Sequence, residues 1–451
     1  MIMIRREKSL ARNILAYFLI TVSLLILSSQ YELVAQTRKS SKPVPVKKLS
    51  KADDAFLEDL SKRSFQYLWE QSDPVTGLTL DRTKTDGTPR PKESNGYNVA
   101  SSAATGFALT GLCIAADRKW LPKKEAMTRA RNTLRFYADK SPQQHGWFYH
   151  FIDQDTGERR WKSEISSIDT ALLLGGVLSV KQCFKDDKEI FNLATKIYDR
   201  VDFQWMLNED KYLLSHGWRD ESGFIKVRWG TYSEHPIIYI LAIGSRKFSI
   251  PADAWYAWKR DWVEFGNYKY LSGGAPLFIH QYPQAWIDLR GRKENRTPFV
   301  NYYENSVIAT KAHREFCLSL AKEFPTYTEN MWGITASDSA KGYLAWGGPP
   351  RHPRIDGSIV PCAAGGSLMF TPDISIAALR EMKEKYGDKI YARYGFTDAF
   401  NPMMGWVNPD VIGIDIGITL LSAENLRSGK VWYWFMQNKE ITDALDKIGL
   451  K

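Results

Sequence analysis

Residues 53–70 (DDAFLEDLSKRSFQYLWE) place Phe56, Leu57, Leu60, Tyr67 and Leu68 near the spacing of one helix face, behind an acidic start. The same periodicity predicts helices near 99–116, 123–140, 166–184, 187–206, 234–244, 252–263, 303–322, 373–386, 410–424 and 438–449. Segments 99–116 and 166–184 are apolar or small on nearly every face, which predicts buried inner helices. Segments 123–140 and 187–206 mix Lys, Arg, Asp and Glu with apolar stripes, as outer helices do. This alternation predicts two concentric layers. With about eleven or twelve helices after residue 52, the expected fold is all-α, an (α/α)6 toroid with long loops rich in Gly, Pro and aromatics.

Residues 341–372 hold five prolines and six glycines, interleaved with Trp346, Arg351, His352 and Asp356. An irregular stretch this long inside a domain is usually functional. Tyr343, Leu344, Trp346, Ile355, Ile359 and Val360 give it apolar mass to pack.

The N-terminus reads differently. Arg5, Arg6, Lys8 and Arg12 precede or open an uncharged apolar run from Ile14 to Leu27, and Leu33-Val34-Ala35 follows. A basic head, a short apolar segment and a small-residue cleavage signal predict a secretory signal peptide over 1–35, cut after Ala35. The run is shorter than the ~20 residues of a membrane span, so no stable membrane insertion is expected after cleavage. The mature chain is expected to be periplasmic or secreted.

The net charge of +10 is largely an N-terminal property. Residues 1–35 carry the four bases named above against Glu7 and Glu32. Residues 36–51 add Arg38, Lys39, Lys42, Lys47, Lys48 and Lys51 with no acid, leaving the rest of the chain near +2. The basicity marks a flexible spacer over 36–51 rather than a nucleic-acid surface. The expected catalytic domain is 52–451. Cys113, Cys183, Cys317 and Cys362 are widely spaced with no C-x-x-C pair, which argues against a zinc site and a disulfide scaffold and favours buried free thiols. The seven histidines lack ligand spacing. No metal or other cofactor is expected.

The 16 Trp and 22 Tyr supply flat apolar faces with polar edges, the kind of surface a sugar ring stacks on. Four stretches set carboxylates beside such residues. In SEISSIDTALLL, Glu164 and Asp169 stand at the start of a buried helix, where Asp169 serves either the helix dipole or a cleft. In VRWGTYSEHPIIYILAIGS, Glu234 opens an apolar helix after Trp229 and Tyr232. A partly desolvated carboxyl there suits a general acid, and a helix cap is the alternative. In WVNPDVIGIDIGITLLSAENLRSG, Asp410, Asp415 and Glu424 punctuate an apolar run just after Trp406. In HQYPQAWIDLRGRKENRTPFVNYYENS, His280, Asp288, Arg290, Tyr302, Tyr303 and Glu304 form a mixture suited to hydroxyl recognition. No G-x-S-x-G elbow, H-E-x-x-H pair, Walker loop or dinucleotide fingerprint competes. Paired carboxylates with aromatics fit glycosidic hydrolysis.

The segments SEISSIDTALLL, WGTYSEHPIIYILAIGS, HQYPQAWIDLRG, ENMWGITASD, AWGGPP, YGFTDAFNP and GIDIGITLLSAEN together resemble the bacterial glycoamylase-like domain family over residues 55–449. That family includes endo-β-1,2-glucanases and sophorose-releasing relatives. The resemblance implies the (α/α)6 toroid and hydrolysis of a β-glucan with inversion, with an oligo- or polysaccharide as partner. It puts the general acid on Glu234 and the opposite acid on Asp415, while Asp169 matches the acid of the S-I-D-T-A segment. Glu164, Trp229, Tyr232, His280, Arg290, Glu304, Trp346, Trp406 and Glu424 are the expected substrate contacts. The chain departs from the family's pattern at SRKF after Gly244 and at Ser422-Ala423. A glycan-binding protein without catalysis and a polysaccharide lyase on the same toroid stay open at this point. Retention of Glu234, Asp169, Asp415 and Glu424 together favours the hydrolase.

Overall fold

Two kinds of helix alternate along the chain, and their burial patterns sort them into two layers. A computed structural model describes residues 49–274 and 276–451. The expected signal peptide and spacer residues 36–48 lie outside the described residues. The helices are α1 (Lys51–Glu70), α2 (Ser102–Asp117), α3 (Lys123–Asp139), α4 (Ser167–Cys183), α5 (Lys188–Asp199), the short α6 (Phe203–Leu207), α7 (Pro236–Gly244) and the single turn α8 (Ala254–Ala257). They continue with α9 (Phe278–Trp286), α10 (Tyr302–Ser319), α11 (Pro361–Gly365), α12 (Pro372–Tyr386), α13 (Gly413–Arg427), α14 (Lys430–Met436) and α15 (Lys439–Ile448).

Six of them close an inner ring. α2 packs on α4, α4 on α7, α7 on α9, α11 on α13, and α13 back on α2. The Gln281 amide links α9 to α11 by donating to the Ala363 carbonyl at 2.9 Å. All nine residues of α7 are buried, as are nearly all of α2 and α4, because ring neighbours and an outer helix cover every face. The outer helices bury one stripe each. In α5 it is Ile190, Ala194, Ile197 and Tyr198, the spacing of a single helix face. α1, α3, α5, α10, α12 and α15 back α13, α2, α4, α9, α11 and α7 respectively. This is the (α/α)6 toroid.

Glycine sets the closest approach in the ring. A Cβ at Gly106 of α2 would stand 2.2 Å from the Leu172 carbonyl oxygen of α4, and one at Gly176 would stand 2.1 Å from the Gly106 carbonyl oxygen. The two backbones touch where no side chain intervenes.

Short strands tie the N-termini of the ring helices together. Arg82–Lys84 pairs antiparallel with Asp410–Ile412, while Asp81 N–H donates to Val99 O and Gly413 N–H to Asp81 O, joining the starts of α2 and α13. Ser102 N–H donates to His150 O, and His150 N–H to Glu164 O, joining α2 to α4. Ser167 N–H donates to His216 O, and the Trp229 indole donates to Ser167 Oγ at 2.8 Å, carrying the sequence on to α7.

Several expectations change. The helix expected over 252–263 shrinks to α8, and Trp262–Phe265 instead pairs with Tyr268–Leu271 as a hairpin. The stretch 187–206 breaks at 200–202 into α5 and α6. Two ring helices, α9 and α11, fall in stretches the periodicity reads as loop. α9 carries Pro283 and buries His280, Gln281 and Gln284, while α11 is five residues long among glycines. Within 341–372, Trp346, Ile355, Ile359 and Val360 are core, but Tyr343 is 53% exposed. The four cysteines are free.

Gly106→Ala should drive a methyl group into the α4 backbone and lower stability by at least about 1–3 kcal/mol. A urea-unfolding midpoint equal to wild type would show that the ring tolerates separation there.

Candidate active site

The mouth of the ring collects acids because the starts of α2, α4, α7 and α13 meet there. A cleft of about 420 Å³ opens between α4 and the approach to α7, lined by His150, Glu164, Asp169, His216, Trp229 and Glu234 among others. Asp169 lies in the first turn of α4, where Ser166 caps the helix and Asp169 N–H donates to Ser166 Oγ at 3.2 Å. The exposed N–H groups of a helix start favour a carboxylate.

His150 stands between the first two acids. Its Nδ1 is 3.2 Å from Glu164 Oε1 and its Nε2 3.5 Å from Asp169 Oδ1, and its ring stacks on Phe151 at 3.7 Å. Burial works against the imidazolium, but Asp169 and Glu164 outweigh it and raise His150 to about 9. The His150 hydrogen bond in turn holds Glu164 down to about 2. One ligand atom from each of the three residues lies within 4.8 Å of the others. A metal-bound imidazole gives one nitrogen to the ion and the other to an outer partner. Here both nitrogens face carboxylates, the arrangement of a cation clamped between two anions.

Glu234 has no such partner. It lies just ahead of α7 and is almost wholly buried beside Trp229. Burial raises its carboxyl above the usual range, the Ser233 hydroxyl offsets part of that, and the nearby Asp169 adds to it. A carboxyl kept protonated at a cleft wall can donate a proton.

Asp415 forms the second group, in the first turn of α13. It is 6% exposed and is not among the residues lining that cleft. Asp398 and the Cys362 thiol lie against it, around a small enclosed void. Burial raises Asp415 to about 6 although Asp398 and Cys362 hydrogen-bond to it. Burial and Asp415 together push Asp398 well above the carboxylate range. Asp398 Oδ2 accepts from Asp338 N–H at 2.9 Å and from the Asn408 amide at 2.8 Å, while its Oδ1 is buried without a partner of good geometry. A proton on Oδ1 directed at Asp415 satisfies both atoms, leaving Asp415 as the ionised member of the pair.

The two groups lie within electrostatic reach of common neighbours. The charges of both Asp415 and Glu234 act on the buried Tyr282 phenol of α9, and Asp81 influences both Asp169 and Asp415. α7 and α13 are three places apart in a ring of six, so Glu234 and Asp415 belong to opposite sides of its mouth.

The remaining expected contacts divide. Glu164 and Trp229 line the cleft, with Trp229 stacked on His216 at 3.8 Å. Tyr232 is buried beneath Glu234 in an aromatic bed with Trp258 and Tyr302. His280 is buried on α9 with Nδ1 3.4 Å from Tyr232 Oη, and burial holds it near 3, a neutral packing residue. Trp406 is half-buried on the hairpin Phe400–Asn401/Trp406–Val407, two residues before Asn408.

Four expectations are corrected. Arg290 folds back on Asp288 (2.9 and 2.8 Å) and over the Trp432 ring at 4.2 Å. Glu304 is exposed in the first turn of α10. Trp346 is core, its indole donating to Ser337 Oγ at 3.0 Å. Glu424 is fully buried two turns beyond Asp415 and holds Arg118 Nε at 2.9 Å. Arg290, Trp346 and Glu424 are each held by a nearby partner, while Glu304 faces solvent at the start of an outer helix. The residues that sequence reasoning passed over are Asp81, Arg82, His150 and Asp398. Asp398 lies within the quoted YGFTDAFNP segment, and an acid flanked by aromatics is the signal that could have marked it.

Comparisons with known proteins agree with the fold. Residues 226–439 match the Glycoamylase family model, described as "Putative glucoamylase". The chain is 26% identical over 433 residues to the exo beta-1,2-glucooligosaccharide sophorohydrolase (non-reducing end) of Parabacteroides distasonis. The match covers 88% of this chain, which spans 58% of that relative's length. It superposes on the endo-beta-1,2-glucanase of Chitinophaga pinensis, solved with sophorotriose and glucose, with a TM-score of 0.81 at 27% identity, covering 90% of this chain and 99% of the other. A Bacteroides fragilis protein, named "putative glucoamylase", superposes with a TM-score of 0.82 at 28% identity over 90% of this chain and 99% of its own.

Because the folded value of His150 lies above its ordinary 6.5, the stability it lends is complete below about pH 6.5 and is lost as pH rises through about 9. The melting temperature of the wild type should fall across that window, and the fall should shrink in His150→Gln. An equal fall in both proteins would remove the clamp from the account.

Proposed function

We propose that this chain is an exported glycoside hydrolase that cleaves β-1,2-glucan with inversion of configuration. Glu234 acts as general acid and Asp415 as general base. The observation that carries the reading is Glu234, buried at the cleft wall with its carboxyl raised and no cation beside it, on one side of the ring mouth, with the Asp398–Asp415 pair on the other. An inverting hydrolase requires that asymmetry: one carboxyl holds a proton for the leaving oxygen, and the other accepts one from water on the opposite sugar face, typically with about 6.5–9.5 Å between them. The names of the relatives supply the linkage.

In the reaction, the Glu234 carboxyl hands its proton to the glycosidic oxygen as the anomeric carbon–oxygen bond breaks. Water adds to that carbon from the opposite face, and Asp415 takes the water's proton. Before that transfer the Asp398 hydrogen bond favours the anionic form of Asp415, ready to accept the proton. The His150 clamp holds Glu164 ionised and fixes Asp169, whose proximity adds to the burial that raises Glu234. Export rests on the basic head, apolar run and Leu33-Val34-Ala35 signal at the N-terminus.

The test is product chromatography after incubation with β-1,2-, β-1,3-, β-1,4- and α-1,4-glucans. Release of sophorose or longer sophoro-oligosaccharides from β-1,2-glucan alone is expected. Hydrolysis of a different linkage would move the substrate assignment, and inertness toward all four would sink the hydrolase reading. Glu234→Gln should lower kcat by roughly 10²–10⁴-fold while still binding glucan, since the amide keeps the shape but has no proton to give. Near wild-type turnover would remove Glu234 as the acid.

A further inference from the structure

One aromatic ring meets water at the mouth of the toroid beside the acid pair. Tyr343 sits on the hairpin formed by Ser337–Ser339 and Gly342–Leu344, directly across from Asp338. Residues opposite each other in an antiparallel pair project to the same face. Where that face points is fixed by Asp338. Its carboxylate accepts from Arg82 Nη1 at 2.9 Å and from the Asn408 amide at 3.0 Å, and its backbone N–H donates to Asp398 Oδ2 at 2.9 Å. The hairpin is therefore pinned face-down on the acids.

Tyr343 has neither the burial of a core residue nor the isolation of a surface one. Its side chain is 53% exposed, yet the protein around it raises its phenol, with Asp415, Asp398 and Asp81 adding to the effect. Among the charges that reach Tyr282 are those of Asp415, Tyr343 and Glu234 together. The ring is open to water on the face of a hairpin whose opposite residue, Asp338, is held by Arg82, Asn408 and Asp398. Most of the large aromatics are buried. The other exposed ones include Trp161, Trp262, Phe299 and Tyr433, and none of these sits on the hairpin that Asp338 pins to Asp398.

We infer that Tyr343 is a stacking platform for the glucosyl residue bound against Asp415, holding the apolar C–H face of that sugar while the acids act on its linkage. The inference rests on the proposed glucanase reading and adds to it the residue that grips the sugar next to the chemistry. A tyrosine offers an apolar face at low ordering cost with a polar edge for a hydroxyl. The pinned hairpin supplies the rigidity.

The experiment compares kcat and KM on β-1,2-glucan for wild type, Tyr343→Phe and Tyr343→Ala, with melting temperatures for all three. Tyr343→Ala should raise KM by about tenfold, the size of one lost aromatic contact, and melt near wild type because the ring is exposed. Tyr343→Phe should keep KM within about twofold, since the face remains. An unchanged KM in Tyr343→Ala, with the wild type active, overturns the platform and leaves the glucanase reading standing. A loss in Tyr343→Phe equal to that in Tyr343→Ala also overturns it, assigning the contact to the hydroxyl instead. A large fall in the melting temperature of Tyr343→Ala makes the residue structural and overturns it as well. A wild type that releases nothing from any glucan overturns both.

Discussion

An ionised carboxylate taken out of water costs several kcal/mol unless a partner or a set of donors replaces its hydration. At the mouth of this toroid Asp81, Glu164, Asp169, Glu234, Asp398 and Asp415 lie close enough to influence one another, and the cations are too few to pair with all of them. Arg82 reaches Asp81 and Asp338, and His150 serves Glu164 and Asp169. Glu234 and Asp398 receive no cation. Burial raises Glu234, Asp398 and Asp415, and the unequal distribution of cations and donors offsets that burial at some acids and not at others; acid–base chemistry needs such a division.

The fold makes the crowding possible. Strands two to three residues long and the backbone bonds between them tie the starts of α2, α4 and α13, which brings the first-turn acids Asp169 and Asp415 to the same end of the ring. Close backbone contact at Gly106 and Gly176 leaves α2 and α4 little room to move apart. Below the mouth, Tyr232, Trp258, Tyr302 and His235 form an apolar bed that denies Glu234 solvent from beneath. His235 belongs to this bed as a neutral ring, held well below its ordinary value by burial.

Much of this was legible in the sequence for physical reasons. α2 and α4 are apolar on every side, which is possible only inside a second layer, and Asp169, Glu234 and Asp415 stood out as acids at the edge of such helices. α9 and α11 were not legible, because buried glutamines, a proline and small residues erase the period that marks a helix. Arg290 and Glu424 looked like ligand groups but are consumed by Asp288 and Arg118. His150 could not be assigned, since its two partners reach it only after the turn at 153–163 folds Glu164 back across from it. Asp398 acquires its meaning from Asp415, seventeen positions along the chain, through packing that no local pattern records.

The division between Glu234 and Asp415 has a direct chemical signature in the stereochemistry of the first product. Proton NMR of a β-1,2-glucan digest, followed from the first minutes, reports the anomeric form of each new reducing end before mutarotation mixes the two. The α-anomer is expected to appear first, because water enters opposite to the departing β-linked oxygen. A β-anomer appearing first would require a covalent intermediate and would contradict the roles assigned to the two acids.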